Sequence, residues 1–339
     1  MNLVIYILRR LAISIPVLLV GTFLCFVMVA GTGDPLGELR SNPLISKEAL
    51  AATATKLGLD QGIVPRYFTW LGHFLTGDWG TSIAQGNALA PVAPKVLAAF
   101  GVTFKLVVGA EILALVIGII VGVLAAVKQY SIIDYIATTL AFLLFSMPIF
   151  CIAIVLKNYA IEINGWVRDL GLQDVLGNPW LRTTSPEQLK TDGGVGDFIA
   201  STIGAYLLPT LSIMAISFAA YSRFQRASML EVLNADYVRT ARAKGLANGR
   251  VIFRHAFRNA LIPVSTLFSV NFGSVLAGAI ITETVFNWHG MGTLLVEAVT
   301  KNDTQVMMGW LVVIASSVIV ANLIADLMYG ILDPRIRVG

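Results

Sequence analysis

One stretch of the chain combines residue types and spacing that suit recognition of a partner: Ala235-Asp236-Tyr237-Val238-Arg239-Thr240-Ala241-Arg242-Ala243-Lys244-Gly245-Leu246. Asp236 is a good helix N-cap, because its carboxylate can accept from the free amides of a first turn. Gly245 is a good residue just past a helix end, able to take the left-handed conformation that stops it. Between them is room for about two turns. On that short helix Val238 and Ala241 share a face, and Arg239 and Arg242 share the neighbouring one. The element is too short to cross a bilayer, which needs about 20 residues. It suits a helix lying across the mouth of a membrane protein and offering a small, partly apolar surface to a partner.

Other chemistry-bearing residues are sparse. Glu111, Glu283 and Asp326 fall inside apolar blocks, where an ionisable group is costly and is a functional candidate or a packing partner across a helix bundle. The sequence leaves that choice open. His73, His255 and His289 are far apart and show no metal-ligand spacing, and Cys25 and Cys151 form no disulfide framework. The chain contains no H-E-x-x-H, no G-x-S-x-G and no G-x-x-x-x-G-K-[ST]. It is therefore expected to be neither an enzyme nor a binder of ATP, and to hold no cofactor or metal of its own.

The elements that must position these residues are membrane helices. Of 339 residues, 56% are hydrophobic and 13% charged, where a soluble domain carries about 25% charged residues. The mean hydropathy is +0.77. Apolar blocks of bilayer-spanning length recur, and a backbone in lipid must satisfy its own hydrogen bonds, so these blocks read as helices. Six spans are expected, over 9–30, 103–127, 133–160, 201–222, 261–285 and 306–331. Leu11 to Ala30 exceeds the h-region of a cleaved signal peptide and no A-x-A-like site follows, so the first span is read as retained. Pro16, Pro148, Pro209 and Pro263 lie inside spans and favour kinks.

Charge sets the orientation. Arg9 and Arg10 open the first span, Lys128 lies between the second and third, and Arg335 and Arg337 end the chain. Eight basic residues follow the fourth span: Arg223, Arg226, Arg239, Arg242, Lys244, Arg250, Arg254 and Arg258. The 32–100 connection carries five basic and five acidic residues, and the 162–200 connection three basic and six acidic. The positive-inside rule then places both termini and the 223–260 connection in the cytoplasm. The same rule accounts for the net charge of +4 without nucleic acid as a partner.

Three regions follow. Residues 1–31 form the first helix with its cytoplasmic N-terminus. Residues 32–100 form a small external subdomain, with one short helix capped by Ser46 and a second over Gln61 to Leu75. Gly77, Gly80, Gly86, Pro91 and Pro94 mark turns before the second span. Residues 101–339 form a five-helix core that includes the external segment 162–200, whose Gly, Pro and Asp content reads as partly mobile, and the cytoplasmic segment 223–260. Within the latter, Arg250, Arg254 and Arg258 alternate with Phe253, Phe257 and Leu261 at helical spacing. That pattern suits a helix at the interface, with Arg near lipid phosphates and Phe among acyl chains.

The cytoplasmic stretch resembles a known family, the inner-membrane permease subunits of binding-protein-dependent ABC importers, in their dipeptide/oligopeptide branch. That family carries E-A-A-x-x-x-G followed by I-x-L-P. Here Arg239-Thr240-Ala241 stands at the E-A-A position and Gly245 is the glycine. The branch pattern D-Y-I-R-T-A-R-A-K-G-L matches residues 236–246 except at Val238, and R-H-A-L-R-N-A-L-I-P resembles Arg254 to Pro263. Further matches run along the chain: Gly33-Asp34-Pro35, Leu57-Gly58-Leu59-Asp60, Gly77-Asp78-Trp79-Gly80, Leu124-Ala125-Ala126-Val127-Lys128, Ser146-Met147-Pro148, Gly278 to Phe286 and Asp333-Pro334-Arg335-Ile336-Arg337. Asn287-Trp288-His289-Gly290 departs from the pattern, since the family has Pro where His289 stands.

The resemblance implies an all-α integral membrane protein of the type I ABC importer permease fold, with six transmembrane helices, a cytoplasmic coupling helix and a small external subdomain. It implies a bacterial inner membrane, a second homologous permease subunit, two ABC ATPase subunits that bind ATP and Mg, an external substrate-binding protein, and a peptide substrate. It makes Asp236, Tyr237, Val238, Arg239, Thr240, Ala241, Gly245 and Leu246 the coupling site to the ATPases. The branch also includes nickel and glutathione importers. A proton-coupled secondary transporter is the competing class; it predicts inverted repeats and discontinuous spans, and neither is evident in the sequence.

Overall fold

The computed structural model describes the chain except residues 1–2, 33–35, 38–39, 41–45, 57, 83–89, 172–180, 185–193 and 333–339. Gly33-Asp34-Pro35, Leu57, Gly86 and Asp333 to Arg337 lie outside the described residues, as does the side chain of Asp326.

The described residues are almost entirely helical. In order they form α1 (Leu3–Thr32), α2 (Lys47–Lys56), α3 (Ile63–Leu75), α4 (Val92–Val127), α5 (Ile132–Ser146), α6 (Ile149–Asp169), α7 (Gly194–Leu233), α8 (Asp236–Ala243) and α9 (Asn248–Arg250). A π-helix, Val251–Phe257, leads into α10 (Arg258–Gly278), followed by α11 (Ile280–Val285), α12 (Met291–Thr300) and α13 (Thr304–Leu332). Six helical stretches are long and apolar enough to cross a bilayer: Leu8–Gly31, Val92–Val127, Ile149–Asp169, Ser201–Leu233, Asn248–Leu276 and Thr304–Ile324. Each of the six expected spans has its counterpart.

Three details differ from expectation. Pro94 does not mark a turn; it sits in the first turn of α4, where its missing N–H has no helical partner to lose. Pro148 does more than kink the third span. Met147 and Pro148 are both extended (ψ 132 and 141), because the proline ring drives the preceding residue out of the helical region. The span expected over 133–160 is thus two helices, α5 and α6. The third detail is the π-helix, in place of a regular amphipathic α-helix through Arg250, Arg254 and Arg258.

The chain divides into two compact units. One joins residues 1–103 to 289–320, and the other joins 104–288 to 321–339.

In the first unit, the hydroxyl of Ser46 accepts from the amide of Ala49 at 3.1 Å and caps α2. Helix α3 buries Tyr67 and Trp70 against Phe26 of α1 and Met308 and Val312 of α13. The Tyr67 hydroxyl lies 2.9 Å from that of Thr22 and donates to the Leu19 carbonyl at 3.1 Å, so the aromatic layer has a polar anchor. Gly77 and Gly80 carry φ of +90 and +78 in the turn that follows, a conformation only glycine takes freely. A short antiparallel bridge between Thr81 and Pro91 then feeds α4. The Ser82 hydroxyl donates to the carboxylate of Asp303, which also accepts from the Val306 amide and so caps α13.

In the second unit, α4 and α7 approach at Gly118 and Gly122. A Cβ on Gly118 would stand 2.8 Å from Cβ of Tyr221, and one on Gly122 would stand 2.7 Å from the Ser222 carbonyl oxygen. Glycines four residues apart on a membrane helix let two backbones come this close, where van der Waals packing replaces the missing hydrophobic drive. Ser131 caps α5. Asp134 in its first turn then accepts two bonds from the Arg226 guanidinium of α7, at 2.6 and 2.9 Å.

Candidate functional site

Helix α8 forms where the sequence places it, but its cap differs. Ala235 is the N-cap, with φ −70 and ψ 147, and no side chain caps the helix. Asp236 is already inside the first turn, where its charge still meets the positive end of the helix. The other end is as expected: Gly245 has φ +75 and its amide donates to the Arg242 carbonyl at 2.9 Å. A Cβ there would meet nothing within 4 Å. The demand for glycine is conformational and involves no neighbour.

The apolar face of α8 does not look outward. Val238 and Ala241 are buried, packed with Val123 and Ala126 from the end of α4, Met229 of α7, and Val251, Ile252, Ala256 and Ala260 from the π-helix and α10. Leu246 packs partly against the same cluster. Val238 and Ala241, expected in the coupling site, seat α8 on its own chain. The physical reason is the packing of three neighbouring segments, which fill the side of α8 that carries its apolar residues. The exposed residues of α8 are Asp236, Tyr237, Arg239, Thr240, Arg242 and Ala243. The Tyr237 hydroxyl accepts from the Asn259 amide at 2.9 Å, and the Thr240 hydroxyl donates to the Asp236 carbonyl at 2.8 Å. The arrangement can transmit force: a push on the outer face of α8 bears on the ends of α4, α7 and α10 together.

A second cluster lies within the membrane helices. Glu111 of α4 is fully buried. One carboxylate oxygen accepts from Ser217 at 2.5 Å and the other from Tyr221 at 2.5 Å, both on α7. Asn271 of α10 donates toward Ser217 and Tyr221 at 3.0 Å each, and toward Glu111 at 3.4 Å. Four polar side chains thus bind three helices to each other, each satisfying the others as burial in lipid requires. The sequence singled out Glu111 but not its partners, which sit on other helices with no local signature. The Gly118–Gly122 spacing beside them is the local signal of this close helix approach.

Glu283 is fully buried in α11. Among the described residues no group of three His, Cys, Asp or Glu side chains is placed to hold a metal ion.

Comparison with known proteins places the chain. Residues 118–338 match the family described as binding-protein-dependent transport system inner membrane component. The oligopeptide transport system permease protein OppB of Mycobacterium tuberculosis is 35% identical over 335 residues, covering 98% of this chain and 99% of that one. AppB of Bacillus subtilis, an oligopeptide transport system permease protein, is 39% identical over 333 residues, with 98% and 99% coverage. The dipeptide transport system permease protein DppB of Escherichia coli is 39% identical over 341 residues, with 98% of each chain covered. One solved structure, an amino acid ABC transporter with histidines, overlays 70% of this chain and 94% of its own with a TM-score of 0.48 and 12% identity. With a family match over more than half its length and near-full-length relatives above 30% identity, the chain belongs to the family of inner membrane components of binding-protein-dependent transport systems, as a multi-pass permease.

Proposed function

We propose that this chain is one of two permease subunits of an ATP-driven importer, and that with a second, homologous permease it forms the pathway for di- or oligopeptides delivered by a substrate-binding protein. The observation that carries the reading is the near-full-length similarity to three permeases named for oligopeptide or dipeptide transport. Both termini and α8 lie in the cytoplasm in this reading, which the Lys and Arg distribution supports. Residues 32–100 lie outside, toward the binding protein.

The ATPases supply ATP, Mg and hydrolysis, and this chain supplies the surface on which they act. Tyr237, Arg239, Thr240 and Arg242 face the ATPase groove while Val238 and Ala241 hold α8 to its own chain. Closure of the ATPases on ATP displaces α8, and the shared cluster passes that movement to α4, α7 and α10. The permease is then a two-state element biased by a ligand bound to another subunit.

The test is reconstitution of the chain with its partner permease, ATPases and binding protein into proteoliposomes, measuring uptake of labelled di- and oligopeptides. Uptake should require ATP and the binding protein. Uptake that persists without the ATPases would favour a secondary transporter. ATP-dependent uptake of nickel or glutathione but not of peptides would keep the permease role and change the substrate.

A further inference from the structure

Helix α3 carries three distinct faces. One holds Tyr67, Trp70 and Phe74, packed on α1 and α13. A second holds Val64, Phe68 and Leu75, with half-buried Leu71 between them. Their spacing of i, i+4, i+7 and i+11 sets all four on one line along the helix. This line is open: Val64 is 51% exposed, Phe68 62% and Leu75 77%. The third face, on the far side from that line, holds Arg66, Thr69 and His73, which share a cavity with Thr53, Gln61 and Asp78. Apolar and polar edges thus flank the face that packs on the rest of the unit.

The depth of α3 decides what covers the open line. The Tyr67 hydroxyl donates to the Leu19 carbonyl at 3.1 Å and lies 2.9 Å from the Thr22 hydroxyl. Leu19 stands near the middle of the span Leu8–Gly31, about 18 Å from its Gly31 end at 1.5 Å per residue. Half the hydrocarbon core is roughly 15 Å, farther than a tyrosine side chain reaches from water. Phe23 and Phe26 meet the Tyr67 ring edge-on, with centroids 5.1 and 5.6 Å away. Met308 and Val312, inside the span Thr304–Ile324, pack on the same face of α3. Helix α3 therefore sits at membrane depth beside two spans, and its exposed edge meets what their exposed edges meet. On α1 these are Val20, Leu24 and Met28, side chains that suit acyl chains.

An apolar edge opposite one with Arg and His is the pattern of a helix lying in the interface plane, its apolar side roughly 5–10 Å into the boundary between headgroups and acyl chains. A soluble partner such as a binding protein arrives from the aqueous side, which is the side of Arg66, Thr69 and His73. We propose that α3 is an interfacial anchor in the outer leaflet, with Val64, Phe68, Leu71 and Leu75 packed against phospholipid acyl chains and Arg66, Thr69 and His73 turned to water and headgroups. The segment between the first two spans is then held to the bilayer by lipid as well as by α1 and α13. The inference needs only that Leu8–Gly31 crosses the membrane, and it does not rest on the peptide-transport reading.

The experiment uses the full chain assembled with its second permease and ATPases, in nanodiscs of phosphatidylethanolamine and phosphatidylglycerol. Cys25 and Cys151 are replaced by alanine. A nitroxide is then attached, one site at a time, through Phe68→Cys, Leu75→Cys, Thr69→Cys or Val20→Cys. All four positions are exposed, so labelling leaves the packing of α3 on α1 and α13 in place. Power saturation compares collisions with oxygen, which concentrates among acyl chains, and with a water-soluble nickel chelate. The oxygen-to-nickel ratio at Phe68 and Leu75 should approach that at Val20 and exceed that at Thr69 several-fold. A ratio at either position as low as that at Thr69 puts the edge in water and overturns the proposal. Protection of Phe68 and Leu75 from both reagents puts the edge under protein, the second permease being the partner present, and also overturns it.

Discussion

Asn259 donates to the hydroxyl of Tyr237 at 2.9 Å, joining the first turn of α10 to α8 across 22 residues of chain. Apart from the apolar cluster beneath α8, this is its lateral tie to the helix that continues into the membrane. Tyr237 is 44% exposed, so water competes for the bond and its net worth is at the low end of about 0.5–1.5 kcal/mol. Tyr237→Phe should leave membrane abundance unchanged and lower ATP-driven uptake modestly, measured per molecule of permease. A fall in abundance that matches the fall in uptake would show a folding role instead.

The two faces of α8 should respond differently to charge. Val238 is fully buried, and an acid there would sit unpaired in an apolar cluster, costing several kcal/mol. Val238→Asp should therefore reduce the amount of folded protein in membranes. Arg239→Glu alters only an exposed position and should leave abundance intact while weakening co-purification of the ATPases. Equal effects of the two substitutions on abundance would remove the distinction between anchoring and docking faces.

Gly245→Val places a β-branched residue at φ +75, where an L-residue pays about 1–2 kcal/mol. Because no neighbour lies within 4 Å of the added Cβ, the cost stays in the backbone, and α8 should end differently without a change in packing elsewhere. Gly245→Asn, which tolerates the left-handed region better, should be milder. The expected pattern is normal abundance for both, with ATPase association and uptake falling for Val and largely kept for Asn. Wild-type coupling in Gly245→Val would remove Gly245 from the coupling site.

The six spans were legible because apolar blocks of bilayer length leave the backbone one option. Their ends were less so. The helix that begins at Val92 runs through Pro94, and a proline tolerated in a first turn looks the same in sequence as one in a loop. Met147-Pro148 was legible as a weak point but not as a full break, which depends on Met147 being extended. For α8 the length, the glycine and the sharing of a face by Val238 and Ala241 could be read locally. Which way that face points could not, because Val123 and Ala126 pack against it from more than a hundred residues away. The Glu111 partners were hidden for the same reason.

The Asp134–Arg226 pair fixes the start of α5 to α7. The Asp134 side chain is 4% exposed and that of Arg226 27%, and Asp134 also accepts from Thr138 and from the Tyr130 amide. Removing one partner of a buried pair costs about 3–5 kcal/mol, and partial exposure of Arg226 reduces this. Asp134→Asn keeps the shape but loses the charge, so its thermal stability in detergent should fall clearly. Asp134→Glu should recover little, because the longer side chain displaces the bidentate geometry. An unchanged melting profile for Asp134→Asn would show that the pair contributes nothing measurable.

Glu111 raises the question of whether its buried carboxyl carries charge for transport or only joins helices. Its partners are two hydroxyls and an amide, with no basic side chain in the described network. A packing role therefore needs two oxygen-sized polar atoms of the right shape, not a charge. Glu111→Gln supplies that shape: one amide oxygen still accepts, and the amide nitrogen can donate to the Tyr221 or Ser217 oxygen. Glu111→Leu supplies neither, leaving Ser217, Tyr221 and Asn271 to find new partners in a site closed by Tyr221 and Gly118. Each buried polar group left unsatisfied costs about 1–3 kcal/mol. The expected order of thermal stability is wild type, then Gln slightly below, then Leu well below, with uptake by Gln near wild type once scaled to folded protein. Uptake measured across external pH then provides the second readout. If Glu111→Gln folds normally but abolishes uptake, or alters its pH dependence, the carboxyl acts through its proton or charge and the packing account fails.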